Sequence, residues 1–506
     1  MKRQKIRIIV LLSLFVLLLA GYFLVIRPLT EPDEEQKEAP ETEAGEVLGS
    51  GDRFFLFGSL SRSDIAQIEV ENEYGTFAFY QAEENKFKIK GYDTVPYSET
   101  LFATLVNTTS YTLSKTKVGS NLSDEKLAEY GLDEPVARWT VTSNGGDSFT
   151  VLVGDRLLTG GGYYCMLEGR RSAYVLGTEV ADTVLVPIEK YVTPVLTTGI
   201  SQENYYEVNH FTVYQDGDML MRIRLKDKKD QNNPEALAEN IMDYPTAYYP
   251  NSNMYYEIIF AYLEMQADSC YKLGATAEDF AAVGLDQPAR EITFDYEGQS
   301  FRLSFSALTE EGTYYVCSSL YPNVIGICSG EDHAYLEYSL IDWIDPYVYQ
   351  EYITNIRHLS VSTDAVQADF ALSHDVDDTG DQVLYVTMNG EEDLRRDYIP
   401  QFREFYKSLL AVSIQDYYNA DTYATMSPEE MEVFAADPAN AYMTFTATTL
   451  SGEEKVYRFY PYSTRHSFVT VDGVGEFYVL TDLVKKIEND TVRILNGEEV
   501  TAFDKS

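Results

Sequence analysis

One stretch of this sequence occurs twice, and its spacing constrains the fold more than any other feature. The segment EYGLDEPVARWTV begins at Glu129, and AVGLDQPAREITF begins at Ala282. Their shared Gly-Leu-Asp-x-Pro motif starts at Gly131 in the first segment and at Gly284, 153 residues later, in the second. About 150 residues can bury a core of their own, so we interpret the repeat as a duplicated domain rather than as a solenoid unit.

The residues around the motif predict one α+β module with an antiparallel sheet, because its strands follow one another through tight turns. Ser123 is the predicted N-cap of a short helix that Gly131 ends in a left-handed conformation. In the first copy the predicted order is a three-stranded meander from Ile65, a helix from Tyr97 to about Ser114, the short helix Asp124 to Tyr130, alternating strands in hairpins, and a closing helix at about Thr178–Val186.

Two further copies follow the same predicted order. The second has strands from Tyr206 and Met219, a helix from Asn253 and a short helix from Ala277. The third is fainter, with an opening strand after Ile353, a helix from Ile399, and a short helix after Ser427. Pro438 lies 150 residues after Pro288, but Ala435-Ala436-Asp437 stands where Gly-Leu-Asp would be.

The first residues predict a membrane anchor. Lys2, Arg3, Lys5 and Arg7 precede the apolar run Ile8–Ile26, whose 19 positions would span roughly 28 Å as a helix. Basic residues before the run and acidic ones after it predict a cytoplasmic N-terminus, with the rest of the chain outside the cell membrane. A cleaved signal peptide is the alternative.

These patterns divide the chain into seven expected parts. Residues 30–51 carry eight carboxylates and one lysine, so we expect a disordered spacer there. The expected parts are a cytoplasmic basic tail (1–7), a single-pass transmembrane anchor (8–26), the acidic spacer (27–52), repeat module 1 (53–200), repeat module 2 (201–350), a divergent repeat module 3 (351–492) and a C-terminal tail (493–506).

The charge and the cysteines exclude some function classes. The formal net charge of −42 repels phosphate backbones, which argues against nucleic acid as a partner. Anionic lipid head groups repel the same charge, so the N-terminal helix is the expected membrane contact. Four cysteines without a C-x-x-C pair do not indicate a disulfide scaffold or a zinc ribbon.

The first module resembles a known family. GLDEP with the strand after it, VLVGDRLLTGGGYY and SAYVLGTEVADTVL are similar to the bacterial domain-of-unknown-function family numbered 4340. Residues 62–200 carry the resemblance best and 204–350 more weakly, while the third unit lacks Gly-Leu-Asp. The resemblance implies a membrane-anchored, outward-facing protein that occurs with ABC transporter permeases of the gliding-motility type. It implies no catalytic residue.

Several local patterns imitate catalytic or binding motifs. DVDDTGD at 375–381 resembles the start of an EF-hand, but Val386 stands where the bidentate Glu is needed, so an acidic hairpin turn is favoured. Ser114 and Ser123 each begin an S-x-x-K pattern without a K-T-G partner. TGGG at 159–162 lacks the Lys of a P-loop and is interpreted as a turn. The five histidines, isolated in sequence, are His210, His333, His358, His374 and His466.

We therefore expect an interaction or scaffold protein rather than an enzyme, and we assign no catalytic, cofactor-binding or metal-ligating residues. The expected partners are an ABC transporter permease or another protein of the cell envelope. A second hypothesis is binding of envelope glycans by tyrosine-rich surfaces, since the chain has 41 tyrosines and a cluster at 244–256. Core and interface packing is the favoured role of those rings. An envelope hydrolase ranks third.

Two cysteines raise the question of a disulfide. If Pro322-Asn323 forms a two-residue turn, Cys317 lies opposite Cys328, at about 4.5–5.5 Å between Cβ atoms. A longer loop would shift the register and separate the thiols. Two buried free thiols are the favoured expectation.

Overall fold

A computed structural model describes residues 46–48, 53–57, 60–110, 114, 116–203, 205–225, 240–262, 264–376, 378–380, 382–390, 392–394, 398–420 and 422–500. The predicted cytoplasmic tail, the predicted anchor and most of the predicted spacer lie outside these residues. Within them, no helix combines the length and the apolar character that crossing a bilayer requires.

The described chain is mixed α and β, and its long strands form three antiparallel sheets. A ladder of two short strands, β1 (Val47–Leu48) and β2 (Phe54–Phe55), precedes them. Sheet 1 contains β3 (Ile65–Asn72), β4 (Gly75–Glu83), β5 (Lys86–Ile89), β6 (Thr116–Gly119), β7 (Ala137–Ser143), β8 (Ser148–Arg156), β9 (Tyr163–Leu167) and β10 (Ala173–Leu176). Sheet 2 contains β11 (Asn209–Gln215), β12 (Asp218–Leu225), β13 (Asn240–Tyr244), β14 (Ser269–Leu273), β15 (Arg290–Tyr296), β16 (Gln299–Phe305), β17 (Thr313–Ser318) and β18 (Val324–Ser329). Sheet 3 contains β19 (Ile356–Thr363), β20 (Gln367–Val376), β21 (Gln382–Met388), β22 (Glu392–Asp393), β23 (Ile414–Tyr417), β24 (Met443–Thr449), β25 (Glu454–Pro461), β26 (His466–Val471) and β27 (Val474–Leu480).

The three sheets share one strand order. When the strands of a module are numbered along the chain, sheets 1 and 2 both have the order 3-2-1-5-6-7-8-4. Sheet 3 has the same order once its extra two-residue edge strand β22 is set aside. The predicted α+β repeat with antiparallel sheets is thereby confirmed, including the third copy that the sequence pattern shows only faintly.

The strand after each short helix keeps the period of the repeat. β7, β15 and β24 each contain seven residues and begin at Ala137, Arg290 and Met443, so that consecutive strands start 153 residues apart. The third copy therefore retains the spacing although it lacks the Gly-Leu-Asp motif. The middle residue of each strand is a half-buried threonine, namely Thr140, Thr293 and Thr446.

Helices connect the strands at equivalent places in the three modules. In chain order they are α1 (Glu99–Ser110), α2 (Asp124–Glu129), α3 (Thr178–Val184), α4 (Ser252–Ala261), α5 (Ala277–Ala282), α6 (Leu340–Trp343), α7 (Ile399–Leu410), α8 (Pro428–Ala435) and α9 (Thr481–Asn496). Helices α1, α4 and α7 follow the opening meander, α2, α5 and α8 precede the central strand, and α3, α6 and α9 follow the last hairpin.

The helices α1, α4 and α7 cover one face of their sheets through aromatic contacts. Each such fully buried ring contributes about 1.5–3 kcal/mol by leaving water. The ring centroids are 4.7 Å apart for Phe79 and Phe102 in module 1, 5.6 Å for Phe211 and Tyr255 in module 2, and 5.2 Å for Phe370 and Phe402 in module 3.

The short helices α2, α5 and α8 cover only half of the opposite face. In module 1, Leu127 of α2 and the following Leu132 pack on Leu152 and Met166 of the sheet. Equivalent clusters lie under α5 and α8. The other half, formed by the opening meander, the central strand and the strand after it, is polar, and most of its described side chains are half-buried or exposed; we call it the open half-face. In sheet 2 it consists of His210, Thr212, Tyr214, Arg222, Arg224, Asp243, Glu291, Thr293, Asp295, Ser300, Arg302 and Ser304.

The repeated motif is a helix end, as the capping rules predict. Ser123 Oγ accepts a hydrogen bond from Lys126 N at 3.4 Å, and Gly131 is left-handed with φ +67°. Gly284 takes the same conformation, with φ +73°. In the third module the residue after the C-cap Ala436 is Asp437, which is extended with φ −92°, so no glycine is required there.

The chain divides into two compact units. The first holds the described residues up to Asp93 together with Glu99–Pro187, and the second holds Thr94–Ser98 together with the described residues from Ile188 onward. Within the second unit, sheets 2 and 3 share one hydrophobic core. Tyr248 packs on Phe477 with ring centroids 5.4 Å apart, so modules 2 and 3 are joined through buried side chains.

Residues 46–48 of the predicted spacer form contacts with the first module. Glu46 is buried, and its carboxylate lies 3.0 Å from Lys117 Nζ. Val47–Leu48 pairs with Phe54–Phe55. The acidic composition predicted disorder up to residue 52. Composition alone cannot reveal that the carboxylate of Glu46 pairs with Lys117, which lies 71 residues further along the chain. At the other end, α9 continues to Asn496, beyond the residue 493 at which we expected a tail.

The two-residue turn that would place Cys317 opposite Cys328 does not form, and both thiols are free, as favoured, although Cys317 is only half-buried. Cys328 pairs with Tyr314, and Cys317 faces Ser304 on the neighbouring strand. The connection between β17 and β18 spans residues 319–323, so it is the longer loop that separates the thiols. All four cysteines are free, and burial raises the pKa of Cys317 to about 11 and that of Cys328 to about 12.

Candidate functional site

The residues that imitate known motifs have structural partners. Ser114 Oγ is buried and lies 3.2 Å from both the N and the O of Phe54, and Ser123 caps α2. The lysines of the two S-x-x-K patterns pair with carboxylates, Lys117 with Glu46 and Lys126 with Glu129. Neither lysine is placed as a base for its serine.

The other two patterns form turns, as expected. Asp375 and Val376 are the last residues of β20, and Val376 pairs with Gln382 of β21 across the hairpin. Asp377 and Asp381 lie outside the described residues. TGGG at 159–162 closes the hairpin of β8 and β9, where Leu157 N donates to Gly162 O at 3.0 Å. Among the residues that the structure describes, no group of three or more His, Cys, Asp or Glu is arranged to hold a metal ion.

The tyrosine cluster at 244–256 is largely buried. Tyr248, Tyr249 and Tyr255 are at most 6% exposed, and burial raises the pKa of all three. Tyr256 packs against the core, and Tyr244 is 40% exposed. These rings therefore belong to the core and to the junction of sheets 2 and 3, as the favoured interpretation predicts.

A histidine and a carboxylate meet on the open half-face of sheet 2. His210 Nδ1 lies 3.0 Å from Asp295 Oδ2, on the neighbouring strand β15. Ser300 Oγ donates to the other carboxylate oxygen at 2.6 Å. The bond from Ser300, and after it the contact with His210, lowers the pKa of Asp295 below its ordinary 3.8, so the carboxylate is ionised near neutral pH.

Arginines surround this pair. Arg222 binds Asp243 through Nε at 2.7 Å and Nη2 at 3.2 Å, and Arg224 Nε lies 3.2 Å from the same carboxylate. Two guanidinium groups thus share one negative charge. Arg302 Nη1 reaches Glu291 at 3.4 Å and remains 63% exposed. In a chain of net charge −42, this is a surface where cations are concentrated.

A shallow cleft of about 620 Å³ is lined in part by five of these side chains, those of His210, Arg222, Asp295, Ser300 and Arg302. Its lining contributes three basic groups, His210, Arg222 and Arg302, and of the described residues in that lining only Asp295 is a carboxylate. The hydroxyl groups are those of Thr212, Tyr214, Thr293, Ser300 and Ser319. The cleft can donate to an anion through the basic groups and accept a hydrogen bond from a hydroxyl through Asp295.

This group of residues is not arranged as a hydrolytic triad. A nucleophilic serine must bond to the histidine that deprotonates it. Ser300 bonds instead to Asp295, on the side away from His210. The arrangement is that of a binding surface with fixed donors and acceptors.

Sequence reasoning did not find this site. His210 and Asp295 are 85 residues apart in the chain, and no local motif links them. The only signal available was the alternation of β15, which places Glu291, Thr293 and Asp295 on one polar face.

Three comparisons with known proteins found no match for this chain. No protein-family model, no curated protein and no solved structure matches it. The resemblance to family 4340 therefore remains a prediction.

Proposed function

We propose that this chain is a membrane-anchored, extracytoplasmic interaction protein whose repeated modules present their open half-faces to a partner. The observation that carries the proposal is the repetition of one sheet topology three times, each time with a polar half-face on which no helix of the described residues lies. An antiparallel sheet commonly packs one face on the core and leaves the other solvated, and the threefold repetition gives the chain three equivalent surfaces on which a partner can dock.

The partner that we propose is an ABC transporter permease or another protein of the cell envelope. The resemblance of residues 62–200 to family 4340 supports this choice, and so does the predicted anchor at residues 8–26. Outside the arginine-rich open half-face of sheet 2, the high negative charge favours a partner with exposed basic groups, because complementary potentials speed association and suppress wrong pairings.

A catalytic role has less support. At the one grouping of serine, histidine and aspartate in the cleft, Ser300 bonds to Asp295 and not to His210. Glycan binding by the tyrosine cluster at 244–256 also loses support, because most of those rings are buried.

Affinity purification from detergent-solubilised membranes tests the proposal. The bait is the full chain, and the control is residues 1–45, which keep the predicted anchor and exclude the residues that the structure describes, the first of which is Glu46. We expect a transporter subunit or an envelope protein to be enriched with the full chain alone. Equal recovery with both baits would leave the modules without a partner and would contradict the proposal.

The anchor itself has a separate test. Mass spectrometry of the protein extracted from membranes should find residues 8–26 still attached. A mature N-terminus beyond residue 20 would show that the segment is a cleaved signal, and the membrane attachment would have to be abandoned.

A further inference from the structure

His210 has an unusual backbone for its position. Its φ is +51° inside strand β11, whereas the other described non-glycine residues with positive φ lie in turns or bends. The pairing of β11 with β15 shifts register between Asn209 and Thr212, so His210 lies in a bulge. A left-handed backbone is unfavourable for a residue with a Cβ, and such positions concentrate at binding sites.

Neighbouring groups hold this conformation in place. Asn209 Oδ1 accepts hydrogen bonds from the backbone N–H groups of His210 and Leu225, both at 2.9 Å. The bulge aims the imidazole along the open half-face, where Nδ1 contacts Asp295. The ring is 52% exposed, and its Nε2 contacts no residue in the described part of the chain. The strained backbone therefore presents one ring nitrogen to solvent.

The basic groups of the cleft have bonding capacity left for a ligand. Arg302 has one side-chain contact among the described residues, at 3.4 Å to Glu291. A guanidinium can donate five hydrogen bonds, and it recognises a carboxylate through two parallel ones. Arg302, Arg222 and His210 together favour an anion at this place, although the chain as a whole repels anions.

Asp295 restricts which anion fits. It is ionised and lines the same cleft, so it repels a plain anion but accepts a hydrogen bond from a ligand hydroxyl. The serine and threonine hydroxyls beside it suit a polyhydroxylated ligand, and Tyr214 offers an aromatic ring. The volume of about 620 Å³ lies in the range of small-ligand sites.

We infer that the open half-face of sheet 2 binds a sugar acid, with the ligand carboxylate on Arg302 and a ring hydroxyl on Asp295. This inference goes beyond the proposed partner interaction, and it depends neither on the anchor nor on a transporter. It also differs from binding by the tyrosine cluster, because no residue of 244–256 is in the lining of the cleft.

Isothermal titration calorimetry on the full-length chain, in a detergent without sugar groups, tests the inference. The probes are a trisaccharide of galacturonic acid, a neutral galactose trisaccharide, tricarballylate and inorganic phosphate. We expect saturable binding of the acidic trisaccharide, and at least tenfold weaker binding of the other three probes. No heat of binding up to millimolar acidic trisaccharide would overturn the inference, and equal binding of phosphate or tricarballylate would reduce the site to a simple anion site and overturn it as well.

Two substitutions test whether the acidic trisaccharide binds in this cleft. Arg302→Gln should weaken the acidic trisaccharide at least about tenfold, because a charge-assisted pair of hydrogen bonds is lost. The control is Arg357→Gln, which removes the same charge from an exposed position on β19 in sheet 3 and should leave affinity within twofold. Equal losses in the two variants would show unspecific attraction and would contradict the proposed site.

The variant His210→Gly distinguishes a loss of ligand affinity from a loss of protein stability. Glycine adopts φ +51° without steric cost, so the urea midpoint of this variant should equal or exceed that of the parent. Its affinity for the acidic trisaccharide should nevertheless fall, because the ring nitrogen and the contact with Asp295 are both lost. A variant that is as stable as the parent and binds equally well would refute a role for His210 in the site.

Discussion

A buried ion pair of module 3, which a tyrosine of module 2 contacts, leads to a quantitative prediction about stability. Glu351 and Lys455 are each 6% exposed, with Lys455 Nζ at 4.0 Å from a Glu351 carboxylate oxygen. Tyr249, from module 2, donates its hydroxyl to Glu351 at 3.2 Å, and its ring centroid lies 5.0 Å from Lys455 Nζ. This cluster therefore joins the two modules of the second unit.

Replacing Glu351 with leucine should lower the free energy of unfolding by about 4 kcal/mol. Leaving one member of a buried ion pair without its partner costs about 3–5 kcal/mol. Lys455 keeps Glu453 at 3.9 Å, which favours the lower end of that range. The Tyr249 hydroxyl loses its acceptor, at about 1–3 kcal/mol. The double variant Glu351→Leu with Lys455→Met buries no lone charge, so its loss should be smaller than the sum of the single losses by at least about 2 kcal/mol.

Urea unfolding followed by tryptophan fluorescence measures these changes in the second unit alone. The chain has two tryptophans, both fully buried, and Trp139 lies in the first unit while Trp343 lies in the second. In a Trp139→Phe background, Trp343 reports only the second unit. Lys407→Met breaks an exposed pair with Glu404 and should cost less than about 1 kcal/mol. A loss below about 1 kcal/mol for Glu351→Leu, or strictly additive losses in the double variant, would refute the reasoning.

Three further predictions concern the helix ends, the thiols and the carboxylate of the cleft. In thermal unfolding, Gly131→Ala should lower the melting temperature more than Gly284→Ala does. A Cβ at Gly131 would lie 2.7 Å from the side chain of Asp155, whereas a Cβ at Gly284 meets nothing within 4 Å. Equal decreases in melting temperature would contradict this reasoning. Thiol titration of the denatured, unreduced protein should count four free thiols, and two would show a disulfide. In an NMR titration, Ser300→Ala should raise the pKa of Asp295 toward 3.8 more than His210→Gly does, because the bond from Ser300 is the larger cause of the lowered pKa. A larger increase in the His210→Gly variant would contradict this assignment. Because the folded pKa is the lower one, the stabilising effect of this carboxylate is present above pH 3.8 and is lost as the pH falls through the folded pKa.

The order of elements in the module was predictable because its signals are local. The turn at Gly75, the cap at Ser123 and the left-handed Gly131 each act over a few residues, and the structure confirms them. Even the fainter third copy was found from its helix, proline and hairpins.

Features that join distant parts of the chain were not predictable. The strands β6, β14 and β23 are four or five residues long and lie between two helices, and each pairs with the last strand of its module. Their sequences contain no signal for that partner. The contact of Glu46 with Lys117 and that of His210 with Asp295 also depend on the folded sheet, which a single sequence does not specify.

Site-specific photocrosslinking in membranes tests most directly the claim that the open half-faces bind a partner. A photoreactive amino acid would replace, one at a time, the equivalent threonines Thr140, Thr293 and Thr446. Leu158 and Val433, which are highly exposed but lie outside the half-faces, serve as controls. We expect crosslinks to one protein partner from at least one threonine position and from neither control. Crosslinks that arise equally at the controls, or only there, would contradict the account.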